Sequence, residues 1–434
     1  MAGNSVSLRF RYRCSPALGS PFPALLWTMA PLNPDGSVLA TGQTNSQERE
    51  LKTRKRSRAC VVVFTAAAIT AAALTGPARA AGGHQATRQA MDAAVQAGVP
   101  GVTAEARDAD GVWKAASGVG DLRTGAPRGT DDRFRVGNLT DTFVATVLLQ
   151  MEAERRLSLD DTVERRLPGV VRGSGNDGRA VTVRQLLNHT SGLFDYLADP
   201  GYAETYVTGD GFLEHRYDTL TPEARVQVAL SHAPLFAPGA RHSFSNTNDV
   251  LAAMVVEKVS GRSYEAEVRD RILKPLGLKA TSTPKDRVRL PHPSGRGYAK
   301  LFPSAPDRID DVTEMNASQG WGNGDIVSSA EDLNRFYGAL MRGQLLPPRQ
   351  LAEMKTTVAN PDFPGASYGL GIEHFTMPCG AALWYHDGGV QGSITVAATT
   401  DDGRHRLAFN YNGSWGAETL FPLLNAEFCA PPSP

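Results

Sequence analysis

Three short stretches carry the side chains of this sequence that are most capable of chemistry. They are Asn138-Leu139-Thr140-Asp141, Phe244-Ser245-Asn246 and His386-Asp387-Gly388. Asn138 and Asp141 stand one helical turn apart, the spacing at which two side chains meet on one face. A carboxamide has no ionisable hydroxyl, and a carboxylate cannot supply a cation, so the pair cannot work as nucleophile and ammonium. It makes a good helix start instead. Asn at the N-cap accepts an orphan N–H, and an acid three residues on faces the positive end of the helix dipole, which would keep Asp141 ionised. Phe244 contributes a ring without a hydroxyl. Asn246 reads equally as a contact to a ligand amide or as a hydrogen-bonded scaffold residue. His386 has no nucleophile beside it in sequence and reads first as a hydrogen-bonded strand residue, second as a base. Gly365-Ala366-Ser367-Tyr368-Gly369 fits the G-x-S-x-G string, but Pro361 and Pro364 precede it and a strand pattern follows. A nucleophile elbow needs strand, turn and helix in that order. No His/Cys/Asp spacing marks a metal site, no Gly-rich loop marks a phosphate site, and no cofactor is implied.

The elements that must position these residues follow from periodicity. A helical stretch is expected over Gln85 to Ala97, then strands over Gly98 to Ala106 and Gly111 to Gly118 with a turn at Asp108-Ala109-Asp110-Gly111. Ala145 to Glu154 carries an apolar stripe at helical spacing. Residues from about 139 to 310 are mostly helical in pattern, broken by polar loops such as Gly173 to Gly178. The tail alternates short apolar runs with turns: Ala381 to Tyr385, Ser393 to Thr399 and Arg406 to Tyr411. Strands at both ends with helices between predict one sheet built from distant segments: an α/β fold with an antiparallel sheet flanked by helices and a helical subdomain. The expected domain is 81–434, its sheet drawn from 81–137 and 311–434 and its helical insertion from about 138–310.

Several motifs stand in a fixed order along some 300 residues. Val181-Thr182-Val183-Arg184-Gln185-Leu186-Leu187-Asn188-His189-Thr190-Ser191-Gly192-Leu193 resembles the Leu-Leu-x-His-Thr-Ser-Gly-Leu segment of class C-like serine β-lactamases and D-alanyl-D-alanine carboxypeptidases. Phe244-Ser245-Asn246 resembles that family's Tyr-x-Asn motif. Ser328-Ser329-Ala330-Glu331-Asp332 matches the helix start after it, while Tyr368-Gly369-Leu370-Gly371 and His386-Asp387-Gly388-Gly389 match the closing strands. The resemblance runs from about Gly98 to the C-terminus and implies a β-lactamase/transpeptidase-like fold. It also implies that Asn138 and Asp141 occupy the positions of the nucleophilic Ser and its Lys, and that Phe244 occupies the position of the general-acid Tyr. The catalytic positions are therefore degenerate. Ser245, Asn246, His386, Asp387 and Gly388 are the expected pocket lining, with Gly388 bare so that a ligand backbone can approach and Asp387 disfavouring a ligand carboxylate. His189 is expected to hold its loop. The implied function is a catalytically inactive homologue that binds peptide or cell-wall stem-peptide ligands. The alternative is an active hydrolase of carboxypeptidase, β-lactamase or esterase type using another nucleophile, such as Ser243 or Ser245.

Charge and cysteine content bound the setting. Formal net charge is zero, yet residues 1–80 hold ten Lys and Arg against three Asp and Glu, which leaves 35 basic and 42 acidic residues downstream. A net −7 domain is not built for nucleic acid, which calls for clustered basic charge. Lys52, Arg54, Lys55, Arg56 and Arg58 precede the apolar run Cys60 to Ile69, and small residues end in Ala78-Arg79-Ala80. That is the arrangement of a secretory signal peptide over 52–80, with an anchor helix as the alternative. No stable membrane span is expected after cleavage near Ala81. Residues 1–51 show no periodicity, consistent with a true start downstream of Met1, such as Met29, or with an extended leader. Two cysteines remain, Cys379 and Cys429, an even number that suits an oxidising compartment. Paired, they close a loop worth roughly 4 kcal/mol in the chain-entropy model; the alternative is two buried thiols.

Overall fold

The strands of the main sheet come from the two ends of the described chain, and its central strands are buried on both faces. The computed structural model describes residues 83–429. The expectations for residues 1–51 and for the export segment 52–80 lie outside the described residues. The first three strands are β1 (Gly101–Arg107), β2 (Val112–Asp121) and β3 (Ala126–Pro127). The other six are β4 (Val358–Ala359), β5 (Ala366–Tyr368), β6 (Glu373–Thr376), β7 (Ala382–Val390), β8 (Ser393–Thr400) and β9 (Arg406–Tyr411). They form a nine-stranded sheet in the order β4-β5-β6-β7-β8-β9-β1-β2-β3. Every neighbouring pair is antiparallel, and β9 joins β1 through Val102 opposite Tyr411 and Ala104 opposite Phe409. The chain leaves the sheet after Pro127 and returns at Val358, later than the expected boundary of 311. The reason lies in Leu333, Phe336, Tyr337 and Leu340. Their spacing of three and four makes an amphipathic helix, and all four are buried.

Helices cover both sheet faces. On one, α1 (Gln85–Gln96) and the C-terminal helix Leu420–Phe428 bury Met91, Ala94 and Leu423 against Val102, Ala104 and Phe409. The other face carries Ala397 and Ala408, and these belong to a core with α2 (Leu139–Ala153), α3 (Asn246–Ser260) and α4 (Ala330–Met341). Twelve of the fifteen residues of α2 are buried, so it is a central helix and not the one-sided helix its stripe suggested. Phe143 of α2 stacks on Phe336 of α4 at 3.8 Å between ring centroids.

Local signals in the sequence account for several element ends. Asp108 accepts backbone N–H groups from Asp110 and Gly111, closing the predicted turn between β1 and β2. Ser329 accepts from the Asp332 N–H at 3.3 Å and starts α4. Thr182 and Gln185 cap each other reciprocally ahead of Val183–Leu187, which sets up the turn carrying His189. Cys379 and Cys429 form the expected disulfide, with Cα atoms 5.7 Å apart. Among the described residues, no helix is long and apolar enough to cross a membrane.

Candidate functional site

The three stretches singled out in the sequence do converge, at the start of α2, the start of α3 and the middle of β7. Gly388 of β7 lies directly on the chain that leads into α2. A Cβ on Gly388 would stand 2.4 Å from the Asn138 nitrogen and 2.6 Å from the Val136 oxygen. The close approach that requires glycine here is therefore made by the protein's own backbone, which corrects the expectation that a ligand needs the space.

Asn138 does not cap α2 through its side chain. Its φ and ψ of −64° and −6° are helical, and its amide forms no cap hydrogen bond. Asn138 Nδ2 donates instead to Asn246 Oδ1 at 2.8 Å, across to the first residue of α3. Asn246 is buried and engaged at both ends of its amide: the same oxygen accepts from Asn323 at 3.0 Å, and its Nδ2 donates to Asp195 at 2.9 Å. Asn323 is held in turn by the buried guanidinium of Arg225, which also binds the Gln319 and Trp321 carbonyls. Of the two readings of Asn246, the structure supports the scaffold.

Asp141 corrects a second expectation. The dipole argument made it an ionised cap, but it is 2% exposed and neither carboxylate oxygen has a hydrogen-bond partner among the described residues. Burial, then the nearby charge of Asp249, pushes its pKa well above the usual carboxylate range, against a smaller opposing effect of the Asn138 amide. Asp249, 3% exposed in the first turn of α3, is pushed up in the same direction by burial and then by Asp195. Its Oδ2 likewise has no partner among the described residues.

Two histidines and a tyrosine close the cluster. His189 stands in the left-handed region at φ 53°, and its carbonyl accepts the Ser243 N–H, so it does hold its loop. Its ring goes further. His189 Nδ1 accepts the Ser245 N–H at 3.2 Å, so a neutral ring carries its proton on Nε2. Nε2 lies 3.2 Å from the Tyr368 hydroxyl and 3.6 Å from Asp249. His386 has the opposite tautomer: Nδ1–H donates to the Asp387 carbonyl at 2.6 Å, so Nε2 accepts from Tyr368 at 2.9 Å. The result is a chain of donors from His189 through Tyr368 to His386. Burial lowers the pKa of both rings, of His386 to about 4 and of His189 well below the ordinary value, and burial also holds Tyr368 far above the range for a phenol.

Asp387 points the other way along β7, as strand alternation requires, and sits beside Glu373. Burial leads its pKa up to about 6. Phe244 packs its ring 4.3 Å from that of His189. Ser245 is buried, and its hydroxyl donates to the Phe194 carbonyl at 3.3 Å. Among the described residues, no serine hydroxyl is hydrogen-bonded to a histidine or lysine, so neither Ser243 nor Ser245 has a base. Ser367 of the G-x-S-x-G string lies inside β5, paired with Ala359 and His374.

Sequence reasoning missed Asp249, Asp195 and His242, placed Tyr368 only in a closing strand, and found no metal-binding spacing. Yet one ligand atom from each of Asp141, His189 and Asp249 falls within 4.8 Å of the others. The intervals of 48 and 60 residues between them leave no local motif to read.

With this geometry in view, comparison with known proteins decides the family. The beta-lactamase family profile matches residues 84–414. The chain belongs to the beta-lactamase family. A D-stereospecific amidohydrolase from Streptomyces sp. is 50% identical, with a TM-score of 0.76 over 80% of this chain and 98% of that one. D-amino acid amidase from Ochrobactrum anthropi SV3 is 26% identical, with a TM-score of 0.67 over 79% and 97% of the two chains. Penicillin-binding protein 4* of Bacillus subtilis is 26% identical over 339 residues, 75% of this chain and 71% of that protein. The match bears out the resemblance at the level of the beta-lactamase/transpeptidase superfamily, and with it the α/β fold with its antiparallel sheet.

Proposed function

We propose that this beta-lactamase family member has lost serine acyl transfer and acts outside the cytoplasm as a binding module for peptides, with cell-wall stem peptides as the ligand class. The observation that carries the reading is the hydrogen bond from Asn138 to Asn246. Where the family resemblance puts a nucleophilic hydroxyl, an amide is committed to a second amide. The Lys position holds a buried carboxyl group, and the Tyr position holds a phenyl ring packed on His189. Removing the nucleophile alone costs an acyl-transfer enzyme about 10⁶ in rate, and further losses in the same unit add little. The names of the amidohydrolase and the amidase point to D-aminoacyl groups, and that of the penicillin-binding protein to the wall peptides that penicillins imitate. The basic, apolar and small-residue sequence of 52–80 supports export.

Labelling with a fluorescent penicillin tests the loss of chemistry, because acylation needs only a competent nucleophile. No covalent label and no turnover of a chromogenic cephalosporin above a boiled control are expected. Calorimetric titration with a peptide ending in D-Ala-D-Ala tests the binding role, with saturable binding expected. Rapid labelling would overturn the first half of the proposal, and absence of binding would overturn the second.

A further inference from the structure

The first turns of α2 and α3 present two acids to one another in a place that has no cation to balance them. Asp141 and Asp249 are both almost wholly buried, and three of their four oxygens have no hydrogen-bond partner among the described residues. Neither forms an ion pair with Lys or Arg there; the nearest basic groups are His386, 3.9 Å from Asp141, and His189, 3.6 Å from Asp249. Both rings are themselves buried. Two carboxylates facing each other without compensation cost several kcal/mol, so arrangements of this kind persist where a proton or a metal ion joins them.

We propose that Asp141, Asp249 and His386 bind a divalent transition-metal ion, the Tyr368 hydroxyl leaving His386 Nε2 as the ion arrives. The tautomers select the ligands. His386 gives its Nδ1–H to a backbone carbonyl, the arrangement found behind most metal-bound imidazoles, which leaves Nε2 as its lone-pair donor; that lone pair accepts the Tyr368 hydroxyl at 2.9 Å and lies 3.9 Å from Asp141. His189 cannot do the same through Nε2. A bare Nε2 would require Nδ1–H, and Nδ1 already accepts the Ser245 N–H. Its Nε2–H instead meets the Tyr368 hydroxyl at 3.2 Å, with Asp249 farther off at 3.6 Å.

The spacing fits a small ion. Donors held about 2.1 Å from a zinc-like ion lie roughly 3.4 Å apart in a tetrahedron. His386 Nε2 and Asp141 are 3.9 Å apart, and oxygens of Asp141 and Asp249 lie within 4.8 Å of each other, so Asp141 stands within about an ångström of ligand spacing to both. Charge fits as well, since two carboxylates and one neutral imidazole cancel a 2+ ion. The imidazole favours zinc, cobalt or iron(II) over magnesium or calcium, which take all-oxygen shells.

The test uses the purified full-length chain, stripped with a chelator and titrated with Co²⁺ and Zn²⁺. Calorimetry reads stoichiometry, and the cobalt d–d absorption reads the ligand field. One ion per chain is expected, with a band showing nitrogen and oxygen ligands. D141N/D249N should take up none. If D141N/D249N fails to fold, a zinc-dependent rise in melting temperature that is present in the natural chain and absent in H386Q serves the same purpose. No uptake by the natural chain overturns the proposal, as does equal uptake by D141N/D249N. An infrared band of a buried protonated carboxyl that persists at saturating zinc also overturns it, because the acids would then share a proton.

Discussion

Asn138 at the entrance of α2 donates its amide to Asn246 at the first position of α3, 2.8 Å away, and so ties together the two helix starts that build the site. The bond also explains why the capping account fails. An Asn whose backbone is already helical has its amide turned away from the N–H groups it would cap, and a partner on another helix takes it.

Asn138→Ala should therefore cost about 1 kcal/mol, the net worth of one neutral hydrogen bond, and not more. Asn246 keeps its bond from Asn323 after the change, so no buried acceptor is orphaned. Urea unfolding of the variant measures this. A loss several times larger would mean that Asn138 supports more than one partner.

Gly388→Ala is expected to be far more damaging, on the order of 3 kcal/mol, because overpacking here has nowhere to relax. Its methyl would press on the Asn138 nitrogen and the Val136 oxygen, both backbone atoms. A variant melting within a degree or two of the natural protein would show that β7 can slide away from α2.

Much of the fold was legible because it rests on local rules. Short apolar runs bounded by turns located β1, β2, β8 and β9, Asp108 marked the turn, and Ser329 marked the start of α4. The site was half legible. Family order placed Asn138, Phe244 and His386 together, but Asp141 passed for an ordinary acid in the first turn of a helix, where the dipole favours one, and Asp249 was not singled out at all. Only their burial against each other distinguishes them, and burial of a helix's first turn is a tertiary property. The roles of Tyr368 and His242 were invisible for the same reason, since each works through contacts more than a hundred residues away in sequence or across strands.

The disulfide predicts a clear stability change. Cys379 and Cys429 close a loop spanning 50 residues. C379S/C429S should lose about 4 kcal/mol in the chain-entropy model. Denaturant unfolding with and without reductant checks the figure, and reductant should leave the double variant unchanged.

His242 gives a pH-dependent prediction. It is 3% exposed, and neither ring nitrogen has a hydrogen-bond partner among the described residues. Burial, with a smaller contribution from the Arg241 charge, lowers its pKa to about 4. Between pH 4 and the ordinary value of about 6.5 the unfolded chain binds the extra proton, so this ring's contribution is fully present above 6.5 and is lost as pH falls toward 4. His242→Leu should remove a pH-dependent difference on the order of 3 kcal/mol. It should also melt higher at pH 5, since an apolar side chain replaces unpaired nitrogens. Melting curves from pH 4 to 8 for both proteins separate this ring from other titrating groups, which cancel in the comparison.

Restoring the family's reactive groups tests what Asp249 does to the site. In N138S/D141K/F244Y the hydroxyl, the ammonium and the phenol return. The introduced ammonium lands beside Asp249, which has no cationic partner among the described residues. Exchanging a buried acid for a cation there replaces repulsion with attraction, so the triple variant should be at least as stable as the natural chain. That corrects the argument from the helix dipole alone, which would have a lysine at position 141 destabilise α2. The same ion pair holds the ammonium protonated, and a protonated lysine cannot take a proton from the serine. Slow labelling by fluorescent penicillin is expected from the triple variant. Adding D249N removes the partner and should speed labelling by an order of magnitude or more. If the triple variant labels rapidly and D249N changes nothing, Asp249 does not reach position 141 in solution, and the juxtaposition of the two acids has no bearing on reactivity at position 138.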